Sequence, residues 1–211
     1  MKQLSLTEHT LNELREAILR IDHEPGSALR LDALQKQYGT SSSPLREALN
    51  RLVSEGLVTQ DSNRGFRVAT ISLDEFRDMT EMRLLLEPEA LRRSIEYGDD
   101  EWEGRVIAAH HRLRRAEEGK TSISPTLDED WSTVHRAFHL ELFSGGPSLR
   151  LQKQCASLFT EAERYRRVTA RLRQRPRDKG AEHAAIMAAA LDRDSGLAVT
   201  LLRNHIQSTA D

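Results

Sequence analysis

Between Pro25 and Val68 the apolar residues change their spacing twice, and that change confines what the chain can fold into. Ahead of this stretch, Leu11, Leu14 and Ile18 recur at helical spacing and predict a first helix, terminated by Pro25-Gly26. Leu31 and Leu34 open a short second helix, and Gly39 is placed to close it in the left-handed conformation that glycine adopts without steric cost. A short turn leads to Ser43-Pro44, read as the N-cap and first position of a third helix. In that helix Leu45, Ala48, Leu49 and Leu52 fall at i, i+3, i+4 and i+7, so they face inward and leave Arg46, Glu47, Asn50 and Arg51 outside. After Gly56 the spacing shortens. Leu57-Val58-Thr59 and Phe66-Arg67-Val68 read as two strands joined through Ser62-Asn63-Arg64-Gly65.

Helix, helix, tight turn, helix and hairpin, in that order, make a winged helix-turn-helix, a shape that fits the DNA major groove. Ser41, Ser42 and Ser43, at a helix N-terminus with free N–H groups, are placed to hold phosphate oxygens. Arg46 can reach a guanine edge with its planar fork, with Asn50 one turn further along the same outer face. Arg64 and Gly65 at the hairpin tip would lie along the minor groove or on phosphate. Two such modules reading two half-sites need a two-fold axis, so the expected partner is a palindromic operator and the expected state a homodimer.

Net charge is −2, so a DNA-binding face must be local and the rest of the chain compensatingly acidic. At 211 residues the chain has room for two small domains, expected at 1–70 and 71–211. The single cysteine, Cys155, excludes an internal disulfide and lies in an apolar helical stretch, where it reads as plain core. No apolar run approaches the roughly 18 residues that span a bilayer, and the first residues lack the apolar core of a signal peptide; a cytoplasmic protein with no membrane partner is expected.

From Ser72 onward every segment is helical, so the fold class is mainly α: the winged domain followed by an antiparallel bundle of about six helices. Ser72 and Glu75 suggest a capping box ahead of the stripe Phe76, Met79, Leu86, Ala90, with a kink expected at Glu87-Pro88. Asp99-Asp100 cap the next helix, Gly119 to Pro125 reads as a loop, and further helices are expected at about 128–143, 148–172, 178–192 and 195–209.

Chemistry enters through histidines. His135 and His139, four residues apart in WSTVHRAFHLEL, project from the face that also carries Trp131, Phe138 and Leu142. His183 shares a stripe with Met187 and Ala190, and His205 shares one with Leu201 and Leu202. A single inward histidine is commonly just bonded to a backbone carbonyl. Four converging from three helices suggest a metal, because neutral imidazole is a preferred ligand of zinc and nickel. The adjacent pair His110-His111 cannot share a face and reads as surface or edge, as do His9 and His23.

Arginines complete the interior. Arg83 falls within the Phe76 to Ala90 stripe, where either Glu87 one turn on or a ligand carboxylate must pair it. In AERYRRV, Arg164 or Arg167 is expected to face the same cavity, with Tyr165 as an alternative donor and the remaining arginines, Arg166 among them, solvated. A metal-dependent hydrolase would use a similar interior, but no H-E-x-x-H pattern occurs here; no enzymatic activity is expected.

LREAIL, PG, SSSPLREALNRLVSEGLV and RGFRV resemble the N-terminal domain of the GntR family of bacterial transcriptional regulators. The family commonly has arginine where this chain has Ser42, which shifts weight onto Arg46. The bundle resembles the FadR-type branch, whose C-terminal FCD domain carries D-x-x-x-H, a histidine opening the penultimate helix and another late in the last. His139, His183 and His205 match it, and His135 replaces the aspartate. The resemblance implies a metal beside an effector pocket. The substitution softens the ligand set toward zinc or nickel, or leaves three ligands with His135 hydrogen-bonding the effector. H-x-A-F-H, R-Y-R and GDDEWE are similar to the subgroup of the carbon-starvation-induced repressor of glutarate and γ-aminobutyrate catabolism. That likeness implies a repressor of a catabolic operon controlled by a small dicarboxylate such as glutarate or 2-hydroxyglutarate.

Overall fold

The computed structural model of the chain describes residues 6–61, 65–118, 129–172 and 179–210. It divides into two compact units, residues 1–73 and 74–211. In the first, α1 (Leu6–Leu19), α2 (Leu31–Tyr38) and α3 (Ser42–Ser54) pack with β1 (Ala28–Leu29), β2 (Val58–Asp61) and β3 (Gly65–Val68). The strands form an antiparallel sheet in the order β1-β3-β2, with Val58 opposite Val68 and Leu29 opposite Phe66. This is the expected winged helix-turn-helix with one strand more than the sequence predicts. Two residues cannot display an alternating pattern, so β1 was invisible in the sequence. The core is Leu14, Ile18, Leu45, Ala48, Leu49, Leu52 and Leu57 with Phe66 and Val68 from β3. Burying each such leucine contributes about 1.5–3 kcal/mol.

Two helix ends differ from expectation. α1 stops at Leu19, ahead of Pro25-Gly26, because Ile21 turns left-handed at φ 64° and the Asp22 N–H returns to the Ala17 carbonyl. Gly26, at φ 77°, instead turns the chain into β1, its N–H donating to the Val68 carbonyl. α3 begins at Ser42 with Ser41 as its N-cap residue, and no cap side-chain bond forms. Pro44 therefore occupies the third helical position rather than the first. It is tolerated there because that N–H also lacks an intrahelical acceptor. Gly39 closes α2 as expected, at φ 60°.

The second unit is all helix among the described residues: α4 (Leu73–Tyr97), α5 (Asp100–Glu117), α6 (Glu129–Leu142), α7 (Leu149–Leu172), α8 (Lys179–Leu191) and α9 (Ser195–Ala210). α4 remains helical through Pro88. Asp99 caps α5 by accepting the Trp102 N–H at 2.8 Å. Trp102 is fully buried, with its indole N–H donating to the Glu141 carbonyl on α6 at 2.9 Å. It belongs to one core with Leu91, Val106, Leu113, Phe138, Leu142, Ile186 and Leu202. Cys155 belongs to this core, its thiol pushed up to about 12 chiefly by burial, so it is inert packing. The expected loop at Gly119 to Pro125 and the hairpin-tip residues Ser62, Asn63 and Arg64 lie outside the described residues.

Candidate metal centre and nucleic-acid interface

α6 delivers two histidines to the bundle interior because positions four apart stack on one helix face. His135 and His139 stand there with Trp131, Phe138 and Leu142, all buried. His183 comes from α8 and His205 from α9. One ligand atom from each of the four lies within 4.8 Å of the others, and all four rings are buried. Trp131 stacks on His135 at 4.3 Å, and the ring centroids of His139 and His205 are 5.1 Å apart.

Both nitrogens of His139 and both of His183 are buried with no hydrogen-bond partner among the described residues. Leaving a buried polar atom unsatisfied costs about 1–3 kcal/mol, so these four nitrogens are where a missing partner is felt. The Nδ1 of His183 is 3.8 Å from Glu117 Oε1, too long for a hydrogen bond. Glu182 lies 2.8 Å from His205 Nδ1, an outer carboxylate of the kind that orients a metal-bound imidazole. Burial holds His135 and His139 well below the ordinary imidazole range, with Arg166 adding to the effect at His135 and His205 at His139. Burial also lowers His183. Neutral imidazoles with unused lone pairs fit a borderline divalent ion.

Among the arginines, Arg166 departs from expectation. Arg83 finds its partner in Glu87, donating to the two carboxylate oxygens at 2.5 and 3.1 Å in a buried pair. Arg167 donates to Glu163 at 2.9 Å and to Ser132 Oγ at 3.3 Å. Arg164 is buried but has Tyr165 and Glu75 as its charged surroundings, with burial lowering its pKa. The Tyr165 hydroxyl donates to Glu75 at 3.3 Å, and its ring stacks on Phe76. Arg166, expected in solvent, is buried: it bonds Glu163, approaches His135 Nδ1 to 2.5 Å and lies over Phe159. The signal was present, since Cys155, Phe159, Ala162 and Arg166 fall four, three and four apart on one inward stripe. Arg83, Arg166 and Arg167 gather with Glu87 and Glu163 into a buried network of guanidinium and carboxylate groups. His110 is half-buried at the edge of the core against Phe138, while His111 is exposed.

On the winged unit Ser41, Ser42, Ser43, Arg46, Asn50 and Gly65 are all exposed, and Gly65 has φ 72°. Arg51 is held by Glu47 at 2.8 Å, whereas Arg46 has no ion pair to another described residue. Arg64 lies outside the described residues.

Residues 6–68 match the family of bacterial regulatory proteins called gntR, and residues 78–208 match the FCD domain. The chain is 39% identical over 205 residues to the HTH-type transcriptional regulator BphR of Paraburkholderia xenovorans, covering 97% of this chain and 84% of that one. It is 36% identical over 197 residues to the HTH-type transcriptional repressor GlaR of Escherichia coli, covering 92% and 89%. Among solved structures, Escherichia coli McbR/YncC superposes with a TM-score of 0.77 at 21% identity, covering 98% and 95%, which is a likeness of fold. The winged unit, the helical bundle and these relatives together define a DNA-binding transcriptional regulator rather than an enzyme. This chain belongs to the GntR family, in the branch that carries an FCD domain. No helix among the described residues is long and apolar enough to cross a membrane.

Proposed function

We propose that the protein is a homodimeric repressor of a catabolic operon, gripping a palindromic operator and responding to a small dicarboxylate bound beside a metal ion in the bundle. The observation that carries this reading is the four-histidine cluster, with buried nitrogens on His139 and His183 that have no partner among the described residues, beside the buried Arg83, Arg166 and Arg167. His139, His183 and His205 would hold the ion, and His135 lies at its edge. Zinc suits the imidazole set, with nickel as the alternative. When bound, the ion supplies a Lewis-acidic anchor for one effector carboxylate.

The chain's own residues do the rest. The Arg83, Arg166 and Arg167 group favours the second carboxylate, because the planar guanidinium fork binds carboxylates through charge-assisted hydrogen bonds. Arg164, on the same helix as Arg166 and Arg167, is a further candidate guanidinium for the effector. Glutarate and 2-hydroxyglutarate are the effectors favoured by the likeness to the carbon-starvation repressor subgroup. On DNA, Ser41, Ser42 and Ser43 would seat phosphates, Arg46 and Asn50 would read base edges, and Arg64 and Gly65 would form the wing contact. An effector changes operator affinity only through differential binding to two arrangements of the dimer.

The test is footprinting of the purified protein on the DNA flanking its own gene, followed by operator titration with C4 to C6 mono- and dicarboxylates before and after chelation. A protected palindrome released by a dicarboxylate only when metal is present is the expected result. Equal responses with and without metal would rule out direct coordination, and no response to any carboxylate would remove this class of effector.

A further inference from the structure

Three of the four clustered histidines have a charged neighbour at Nδ1, and the neighbours are of opposite kinds. His205 Nδ1 meets the Glu182 carboxylate at 2.8 Å, and His183 Nδ1 has the Glu117 carboxylate at 3.8 Å. His135 Nδ1 instead meets the Arg166 guanidinium at 2.5 Å. A carboxylate only accepts, so it places the ring proton on Nδ1 and leaves the Nε2 lone pair for an ion. A guanidinium only donates, so it consumes the Nδ1 lone pair and forces the proton of the neutral ring onto Nε2. A ring held in that way offers a metal neither nitrogen.

The clamp on His135 is built in from several sides. Arg166 is bonded through its other terminal nitrogen to Glu163, which also accepts from Ser132 Oγ and Arg167 Nε, each at 2.9 Å. The Arg166 guanidinium lies over the Phe159 ring at 4.4 Å from its centroid. Trp131 covers His135 with an interplanar angle of 16°, which fixes the ring plane. Swinging Arg166 away to free His135 would break its buried ion pair with Glu163.

We propose that Arg166 keeps His135 out of the coordination sphere, so that the metal-binding set is His139, His183 and His205, with His135 contributing an Nε2–H donor at its edge. This rests on the reading that the cluster holds a metal ion. Its consequence is a site with three neutral ligands and no anionic ligand among the described residues. Open positions and uncompensated positive charge then favour a ligand that brings its own carboxylates.

The experiment uses the full-length chain, loaded with zinc and labelled with nitrogen-15, and reads imidazole nitrogen shifts for each assigned histidine. His139, His183 and His205 should each show one nitrogen in the metal-bound range, and His135 should show an unligated ring protonated at Nε2. In parallel, His135→Ala should keep close to one zinc per chain, with affinity within about threefold of the parent, whereas His139→Ala and His183→Ala lose it. A metal-bound shift at His135, or loss of zinc from His135→Ala equal to that from His139→Ala, would overturn the proposal. The shift measurement decides even if a variant fails to fold. Zinc held on three histidines with no response to carboxylates would support this coordination set while refuting the effector reading. A parent protein that takes up no zinc would overturn both.

Discussion

The two units solve the same problem of making a core in opposite ways. In the winged unit the interior is leucine, alanine, valine and phenylalanine, and among its described residues the only buried polar side chains are Thr10 and Thr40. Its chemistry is outside, on the exposed Ser41 to Ser43 turn and on Arg46 and Asn50. The bundle buries Arg83, Glu87, Glu163, Arg164, Arg166 and Arg167 together with four histidines. Removing ions from water costs several kcal/mol each unless they are paired, so such an interior is not what stability alone would select. A reader of DNA can keep function on its surface, where the ligand is a large polyanion. The proposed sensor of a small anion would have to exclude water and build its donors into the core, a demand that this interior fits.

The sharpest way to break this contrast is to remove a buried carboxylate. Glu87→Ala leaves Arg83 charged and unpaired among apolar neighbours, and the expected destabilisation is about 3–5 kcal/mol, read by denaturant unfolding of the full chain. A cost below 1 kcal/mol would mean that the interior is better hydrated than its geometry indicates. Metal should act on the same unit: zinc at a hundredfold excess over its Kd is expected to add about 2.7 kcal/mol, seen as a rise in Tm that chelator reverses. The winged unit should respond otherwise. Arg46→Ala is expected to weaken operator binding by about 1–3 kcal/mol and relax preference at one base pair while leaving Tm unchanged, which binding titrations on operator variants would show. The smallest effect belongs to Arg51→Ala, which removes an exposed i,i+4 pair with Glu47 and should shift stability by only about 0.3–0.5 kcal/mol in the same unfolding assay.

Legibility in the sequence follows this division. The winged unit was readable because period, glycine and proline all report on local backbone, as Gly39 and the Leu45 to Leu52 stripe do. What escaped there broke a local rule: Ile21 adopts a left-handed conformation that β-branched residues rarely take, and β1 is too short to carry a pattern. In the bundle, helical spacing was enough to turn four histidines inward, because burial follows from which face a residue occupies. Partnership does not follow from spacing except within one helix. Arg83 with Glu87, one turn apart, was foreseeable, whereas Arg166 against His135 joins α7 to α6 across 31 positions. Arg166 was also obscured by its neighbours, since three arginines in four residues cannot be sorted by composition, only by the stripe through Phe159 and Ala162.

The central claim is that the bundle interior is a metal site, and calorimetric titration of zinc into metal-stripped protein tests it most directly. The account predicts saturation at one ion per chain for the parent and no resolved binding for His139→Ala, whose two imidazole nitrogens are buried without a partner among the described residues. A parent chain that takes up no zinc and no nickel, or a His139→Ala chain that binds as the parent does, would contradict it.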